Sequence, residues 1–280
     1  MSNVQQLPIG VFDSGVGGLS VLKVLQEQFP NEDFIYIGDN ANNPVGNRSD
    51  DEITYLACRI AETLEKQPVK LMVIACNTFT VVALDAVREL VSVPVIGVSQ
   101  GVKTAINKSK SKTIGIMATV ATVNSHIHKH VALEVDHEVL VWEQPCPELA
   151  GLIEQGHLDD YFVREICKDY LEPLLSREIE VVVLGCTHFP FVQTLLEELT
   201  SCRIQFIDPA FETSELVRHR LESKNLFNPQ DTVGTVTLYF TKDVELGDAL
   251  SASFLDTSRR TIEHIFFFLK TPPPPTHKTT

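Results

Sequence analysis

The chain has 280 residues, of which 44% are hydrophobic and 21% charged, a composition typical of soluble globular proteins. Its formal net charge of −14 argues against nucleic acid and anionic membrane surfaces as partners. No run of about 18 apolar residues is present to span a bilayer, and the opening "MSNVQQLPIG" lacks a basic segment followed by an apolar one. We therefore expect a cytoplasmic protein.

Apolar, strand-like runs alternate with helical patterns along most of the chain. We predict strands at residues 9–12, 34–37, 71–75, 95–98, 113–117, 138–142, 181–184 and 204–207, with helices at 17–27, 50–66, 81–90, 102–107 and behind each later strand. The strands are nearly continuous in Val, Ile and Leu, which is typical of parallel sheets covered on both faces. The repeated β-α units predict an α/β fold.

Two segments near the C-terminus differ from this pattern. Residues 234–240, "GTVTLYF", alternate between apolar and polar positions, which favours an edge strand. Residues 271–280, "TPPPPTHKTT", can form neither a helix nor a central strand, because proline lacks the backbone N–H group. We predict a disordered tail there.

A glycine-rich turn, "DSGVGG" at residues 13–18, follows the first strand. It lacks the Gly-Lys-Ser/Thr ending of a phosphate-binding loop, and Ser20 replaces the third glycine of the dinucleotide fingerprint. Its free backbone N–H groups at a helix start suit a carboxylate or a phosphate. The alternative is a tight turn capped by Asp13 or Ser14.

Two of the six cysteines follow strands and precede helices: Cys76 in "VIACNT" and Cys186 in "VLGCTH". A helix N-terminus lowers the pKa of a thiol, and polar residues follow each cysteine. No Cys-x-x-Cys pair is present, so we expect reduced thiols and only weak support for a metal site. We interpret Cys58, Cys167 and Cys202 as packing residues and Cys146 as a loop residue.

Three interpretations of the paired thiols are open. Buried cysteines are usually inert, and a Cys186–His188 dyad alone would suggest a hydrolase or transferase, leaving Cys76 without a role. Two thiols across one cleft suit the inversion of a carbon that carries hydrogen, because one base is needed on each face. Asp13 is then a candidate neighbour for one thiol, and His188 and Glu154 for the other.

Six segments, in order and spacing, resemble the glutamate racemases of the cofactor-independent aspartate/glutamate racemase family. They are "IGVFDSGVGGLSVL" (9–22), "YIGDNANNPVG" (36–46), "ACNT" (75–78), "ATVATVNS" (118–125), "GLIEQG" (151–156) and "GCTHFP" (185–190), and the resemblance covers roughly residues 7–268.

The resemblance implies that Cys76 deprotonates D-glutamate and Cys186 deprotonates L-glutamate, with no pyridoxal phosphate, other cofactor or metal. Asp13 would assist Cys76, while Glu154 and His188 would assist Cys186. Substrate-binding positions would be Asp13, Ser14, Val45, Gly46, Asn77, Thr78, Thr187 and His188, with Thr119 and Thr122 as secondary candidates.

The resemblance also implies two pseudo-symmetric α/β domains with the active site between them. The first would combine residues 1–97 with 210–268, and the second would span 98–209. A homodimer is common in the family, and its product D-glutamate serves peptidoglycan synthesis. The alternatives are a racemase for aspartate or another acidic amino acid, and a non-catalytic amino-acid binding protein.

Four positions depart from the family pattern. Val45 replaces the tyrosine of Pro-Tyr-Gly, "GVSQG" (97–101) replaces a segment with Glu-Pro, His128 replaces a common tyrosine, and Phe79 replaces a small residue. These differences concern dimer mode, regulation and specificity, and they leave the two thiols and their neighbours unchanged.

Overall fold

Two parallel β-sheets with interspersed helices form the protein, in a computed structural model that describes residues 4–265. The strands are β1 (Ile9–Asp13), β2 (Phe34–Gly38), β3 (Leu71–Ile74), β4 (Val95–Gly97), β5 (Thr113–Ala118), β6 (Leu140–Pro145), β7 (Val181–Gly185), β8 (Gln205–Ile207), β9 (Val236–Phe240) and β10 (Arg260–His264). The tail predicted at 271–280 lies outside the described residues.

The helices include eleven α-helices in the described part of the chain. They are α1 (Leu19–Gln28), α2 (Asp50–Glu65), α3 (Asn77–Leu90), α4 (Val102–Lys108), α5 (Val120–Ser125), α6 (Ile127–Val135), α7 (Leu149–Glu154), α8 (Tyr161–Leu175), α9 (Gln193–Leu199), α10 (Ala210–Ser223) and α11 (Val244–Ala252). Short 3-10 turns occupy Val4–Gln6, Phe189–Val192 and Thr257–Arg259. No helix in residues 4–265 is both long and apolar enough to cross a membrane.

Sheet A has the strand order β10-β9-β2-β1-β3-β4 and sheet B the order β6-β5-β7-β8, with every neighbouring pair parallel. Each residue of β1, β3 and β7 is buried. This burial explains the continuous Val, Ile and Leu runs, because helices cover both faces of the strands. The predicted α/β fold with two parallel sheets is confirmed.

The prediction of an edge strand at 234–240 is wrong. β9 lies between β2 and β10, and its alternating burial reflects one face that is covered less completely. The edge strand is β10, "RTIEH", which the sequence analysis missed. A single aliphatic residue, Ile262, offers no periodic signal, so pairing with β9 determines this strand.

The chain leaves sheet A after β4 and returns to it with β9. The segment that follows β4 is hydrogen-bonded to α10, which precedes β9, around Glu212. The Glu212 carboxylate on α10 accepts hydrogen bonds from the Ser99 hydroxyl at 2.6 Å and the Thr104 backbone N–H at 2.9 Å. Ser99 N–H also donates to the Thr213 hydroxyl at 2.9 Å. The segment 97–101, which differs from the family pattern, is thus hydrogen-bonded to α10 through Ser99. The domain boundaries at 97/98 and 209/210 stay a prediction.

A buried ion pair fastens the end of sheet A where its strands begin. The side chains of Lys70 and Glu32 are 0% and 2% exposed and lie in direct contact. Lys70 also donates to the Gln5 carbonyl at 2.6 Å, and Glu32 accepts from the Asn228 backbone N–H at 2.8 Å. The pair and its two hydrogen bonds therefore join four segments of the chain that are distant in sequence.

We expect Lys70→Met to lower the free energy of unfolding by about 3–5 kcal/mol, because it leaves the Glu32 charge buried and uncompensated. Equilibrium urea denaturation measures this loss. Lys168→Ala is the matched control, since Lys168 pairs with Glu165 on the exposed face of α8 and should change stability by less than about 1 kcal/mol. Equal losses in the two variants would contradict the structural role of the buried pair.

Candidate active site

A narrow cleft opens where strands of both sheets end. It is lined by Ser14, Asn43, Pro44, Val45, Gly46, Asn47, Cys76, Asn77, Thr78, Thr119, Pro147, Ala150, Cys186, Thr187 and His188. Cys76 follows β3 of sheet A, and Cys186 follows β7 of sheet B. The carboxyl ends of parallel strands are the usual place for a ligand site, and here two such edges contribute to one cavity.

Cys76 caps the N-terminus of α3, with its sulfur accepting the Phe79 N–H at 3.5 Å and lying 3.5 Å from the Ser14 hydroxyl. Only 5% of the residue is exposed. Burial, followed by the charge of Asp13, raises the pKa of the Cys76 thiol above its usual range. The N–H group of Phe79 at the helix start lowers this pKa, as expected from the sequence, but desolvation raises it by more.

The Asp13 carboxylate ends β1 and connects the two sheets. Its Oδ1 accepts from the Gly15 N–H at 2.8 Å, and its Oδ2 accepts from the Thr187 hydroxyl at 3.0 Å. The Ser14 hydroxyl donates to Oδ1 at 3.4 Å and also contacts Cys76. Burial raises the pKa of Asp13 to about 6, although these hydrogen bonds and His188 oppose the shift. Asp13 can therefore exchange a proton near neutral pH.

Cys186, His188 and Glu154 form a line of thiol, imidazole and carboxylate. Cys186 Sγ lies 3.8 Å from His188 Nδ1, and His188 Nε2 lies 2.6 Å from Glu154 Oε2. Burial alone lowers the pKa of His188, but hydrogen bonds to Cys186 and Glu154 more than offset it, and the pKa is raised well above its usual value. A charged imidazole is suited to stabilise a thiolate at Cys186.

The helix expected directly after Cys186 begins later than predicted. His188 leads into the 3-10 turn Phe189–Val192, and α9 starts only at Gln193. A proline at position 190 suits the first turn of such a segment, because its missing N–H group is not needed there. This turn places His188 beside Cys186.

Small polar groups complete the cleft. The Thr78 and Thr119 hydroxyls lie 3.1 Å apart, and Thr119 donates to Thr122 at 3.1 Å. Asn77 Oδ1 is buried without a hydrogen-bond partner among the described residues, which leaves an acceptor for a ligand. Gly46 approaches Thr119 so closely that a Cβ atom would lie 2.7 Å from Thr119 Cβ.

Most predicted site residues meet at this cleft. Asp13 and Glu154 lie behind its wall and contact lining residues, and Thr122 is buried behind Thr119. The sequence analysis missed the lining residues Asn43, Pro44, Asn47, Pro147 and Ala150. Asn43 and Pro44 lie inside the quoted segment 36–46, but which of its side chains reach the cleft depends on the path of the loop.

Two departures from the family pattern pack near the thiols. Phe79 is fully buried with its ring centroid 6.4 Å from that of Phe12. His128 is buried against Gly185, and neither ring nitrogen has a hydrogen-bond partner among the described residues. Burial lowers the pKa of His128 to about 4, so this imidazole is neutral at physiological pH.

The remaining cysteines are not part of the cleft lining. Cys58 is half-buried and Cys167 is buried, as expected for packing residues, and Cys146 is a buried loop residue. The packing prediction for Cys202 is wrong, because it is exposed in the turn before β8. Residues 4–265 contain no group of three or more His, Cys, Asp or Glu side chains arranged to hold a metal ion.

Sequence and structure comparisons agree on the class of protein. Residues 9–216 match the Asp/Glu/hydantoin racemase family. Glutamate racemases of Trichormus variabilis and Levilactobacillus brevis are 40% and 34% identical, covering 82% and 94% of this chain and 79% and 96% of the relatives. Crystal structures of glutamate racemases from Bacillus anthracis and from Francisella tularensis, the latter in complex with D-glutamate, superpose with TM-scores of 0.85 and 0.81. They are 31% and 30% identical, and each alignment covers 93% of this chain and 98% of the other.

The fold and the similarity define a racemase, which is an isomerase. The chain belongs to the Asp/Glu/hydantoin racemase family. The resemblance found in the sequence is thereby confirmed, while the roles of individual residues are taken up below as proposals.

Asp13 should make stability depend on pH in a specific window. Its folded-state pKa of about 6 exceeds the ordinary value of 3.8, so the folded protein holds the proton more tightly and loses stability as pH rises through this range. The free energy of unfolding of Asp13→Asn, relative to that of the parent, should rise by up to about 3 kcal/mol when the pH is raised from about 4 to about 7. Urea denaturation at both pH values measures this, and an unchanged difference would contradict the raised pKa.

Proposed function

We propose that the protein is a cofactor-independent glutamate racemase in which Cys76 and Cys186 are the two acid/base groups. The observation that carries this proposal is the shared cleft: each sulfur comes from a different sheet, and each has its own proton-exchanging neighbours. Ser14 and Asp13 adjoin Cys76, whereas His188 and Glu154 adjoin Cys186.

In the L-to-D direction, the Cys186 thiolate removes the α-proton and the Cys76 thiol donates a proton to the opposite face. One proton leaves the carbon and one arrives, so the substrate inverts while the thiol and thiolate exchange places. The raised pKa of Cys76 keeps its proton in place for this step, and the charged His188 pairs with the thiolate. In the reverse direction, Asp13 can take up the proton of Cys76 through the Ser14 hydroxyl.

Neutral groups together with the charged His188 would bind the substrate, since the cleft lining contains no lysine or arginine. The unpartnered Asn77 Oδ1 and the Thr187 hydroxyl oxygen, whose proton is donated to Asp13, suit the ammonium group, and the hydroxyls of Ser14 and Thr78 suit the carboxylates. Backbone at Val45 and Gly46 could donate to the second carboxylate. The relatives described above are glutamate racemases at 34–40% identity, which favours glutamate over aspartate.

This activity would supply D-glutamate for peptidoglycan synthesis. The homodimer, the cytoplasmic location and the absence of a nucleic-acid or membrane partner stay predictions from the resemblance and the charge.

Incubation with L-glutamate in heavy water tests the reaction. We expect loss of optical activity, measured by circular dichroism, together with replacement of the α-proton by deuterium, measured by proton NMR. Metal chelators and carbonyl reagents should not inhibit, because the thiols supply the acid/base chemistry. Racemisation of aspartate alone would favour the alternative substrate, and no exchange with either amino acid would favour a binding protein.

Cys76→Ser and Cys186→Ser should each lower kcat/KM by about 10²–10⁴-fold, since a serine hydroxyl is a far weaker acid/base group than a thiol. The two enantiomers have equal free energies, so kcat/KM falls equally in both directions for each variant. Cys202→Ser, at an exposed cysteine outside the cleft, is the matched control and should retain parental activity. Near-normal turnover in either cleft variant would refute the paired-base mechanism.

A further inference from the structure

Asn43, in the loop between β2 and α2, reaches across the cleft to the Cys186 side. Its amide Nδ2 position lies 3.2 Å from His188 Nε2. Gly15 also approaches this point, because a Cβ atom there would collide with both the Asn43 amide and the Glu154 carboxylate. An amide, a carboxylate and a close backbone turn thus surround one imidazole nitrogen.

The chemistry of His188 determines how the amide must face it. Nε2 carries one proton when it donates to Glu154 Oε2, 2.6 Å away, and it cannot then accept a hydrogen bond from Asn43. A half-turn of the amide exchanges its nitrogen and oxygen positions. With the oxygen toward His188, Asn43 becomes a second acceptor for the same N–H group.

A second acceptor has two consequences for the ring. It stabilises the charged imidazole, because a hydrogen bond from a charged donor is stronger than one from a neutral donor. It also restrains the ring, so that Nδ1 stays directed at Cys186 Sγ, 3.8 Å away. Since Asn43 follows a strand of sheet A and His188 follows a strand of sheet B, this contact forms only when the two sides of the cleft are together.

We propose that Asn43 is a positioning residue for His188, accepting a hydrogen bond from Nε2–H and thereby supporting the thiolate of Cys186. The proposal rests on the proposed racemase function and adds to it a residue from the opposite side of the cleft.

The test compares Asn43→Leu, which removes the polar group at similar size, with Asn43→Asp, which keeps an acceptor. We expect Asn43→Leu to lower kcat/KM for glutamate by about ten- to hundredfold in both directions. The alkaline limb of its profile of kcat/KM against pH should move to lower pH, because the imidazolium that pairs with the thiolate loses its proton more easily. Asn43→Asp should move the same limb to higher pH, because a carboxylate stabilises the imidazolium further.

Asn42→Leu is the matched control in the same loop. Asn42 donates to both oxygens of Asp39 at 3.0 and 2.8 Å, so its loss loosens the loop without removing the contact to His188. We expect the pH profile of this variant to match that of the parent. Thermal unfolding of all variants confirms that each is folded.

A spectroscopic measurement gives a readout that does not depend on turnover. The ¹⁵N shifts of the His188 ring, assigned with His188→Gln and followed as the pH is raised, should change to those of neutral imidazole at lower pH in Asn43→Leu, and at higher pH in Asn43→Asp, than in the parent. Unchanged shifts and pH profiles in both variants, or equal effects from Asn42→Leu and Asn43→Leu, would overturn this proposal. A parent enzyme that fails to racemise glutamate would instead overturn the proposed function.

Discussion

The hydrogen bond from the Thr187 hydroxyl to the buried Asp13 carboxylate is the constraint on which the cleft depends. Asp13 ends a strand of sheet A, and Thr187 follows a strand of sheet B immediately after Cys186. Two further bonds cross at the same place: Val16 N–H donates to Glu154 at 3.1 Å, and the Ser20 hydroxyl donates to the Thr187 carbonyl at 2.9 Å. Together they place two thiols from separate sheets on one cavity.

These contacts are buried, and burial changes the chemistry of the groups that make them. Desolvation raises the pKa of Asp13 and of Cys76, whereas hydrogen bonds to Glu154 and Cys186 raise the pKa of His188. The two sides of the cleft therefore differ: one thiol is held protonated beside a carboxyl, and the other faces a charged imidazole. An asymmetric pair of this kind suits a reaction in which one group takes a proton while the other gives one.

The glycine-rich turn contributes to both sides at once. Its N–H groups at Gly15 and Val16 donate to Asp13 and Glu154, respectively, so the carboxylates on the two sides are oriented by adjacent residues. The sequence analysis gave two interpretations of this turn, a site for a carboxylate or phosphate and a tight turn capped by Asp13 or Ser14, and the bond from Gly15 N–H to Asp13 agrees with the second. Two of the protein's own carboxylates accept these N–H groups, which agrees with the general preference of such turns for negative charge.

The amino-acid sequence by itself determined the parallel α/β architecture, because continuous apolar runs between helices fit only strands buried on both faces. It also indicated Cys76, Cys186, Asp13 and His188, since each follows a strand in a recognisable polar motif. Tertiary structure alone decided that β10 pairs outside β9, that Asn43 reaches His188, and that burial raises the pKa of Cys76. Strand order, loop path and desolvation all depend on contacts between residues that are distant in the chain, and local sequence patterns do not predict such contacts.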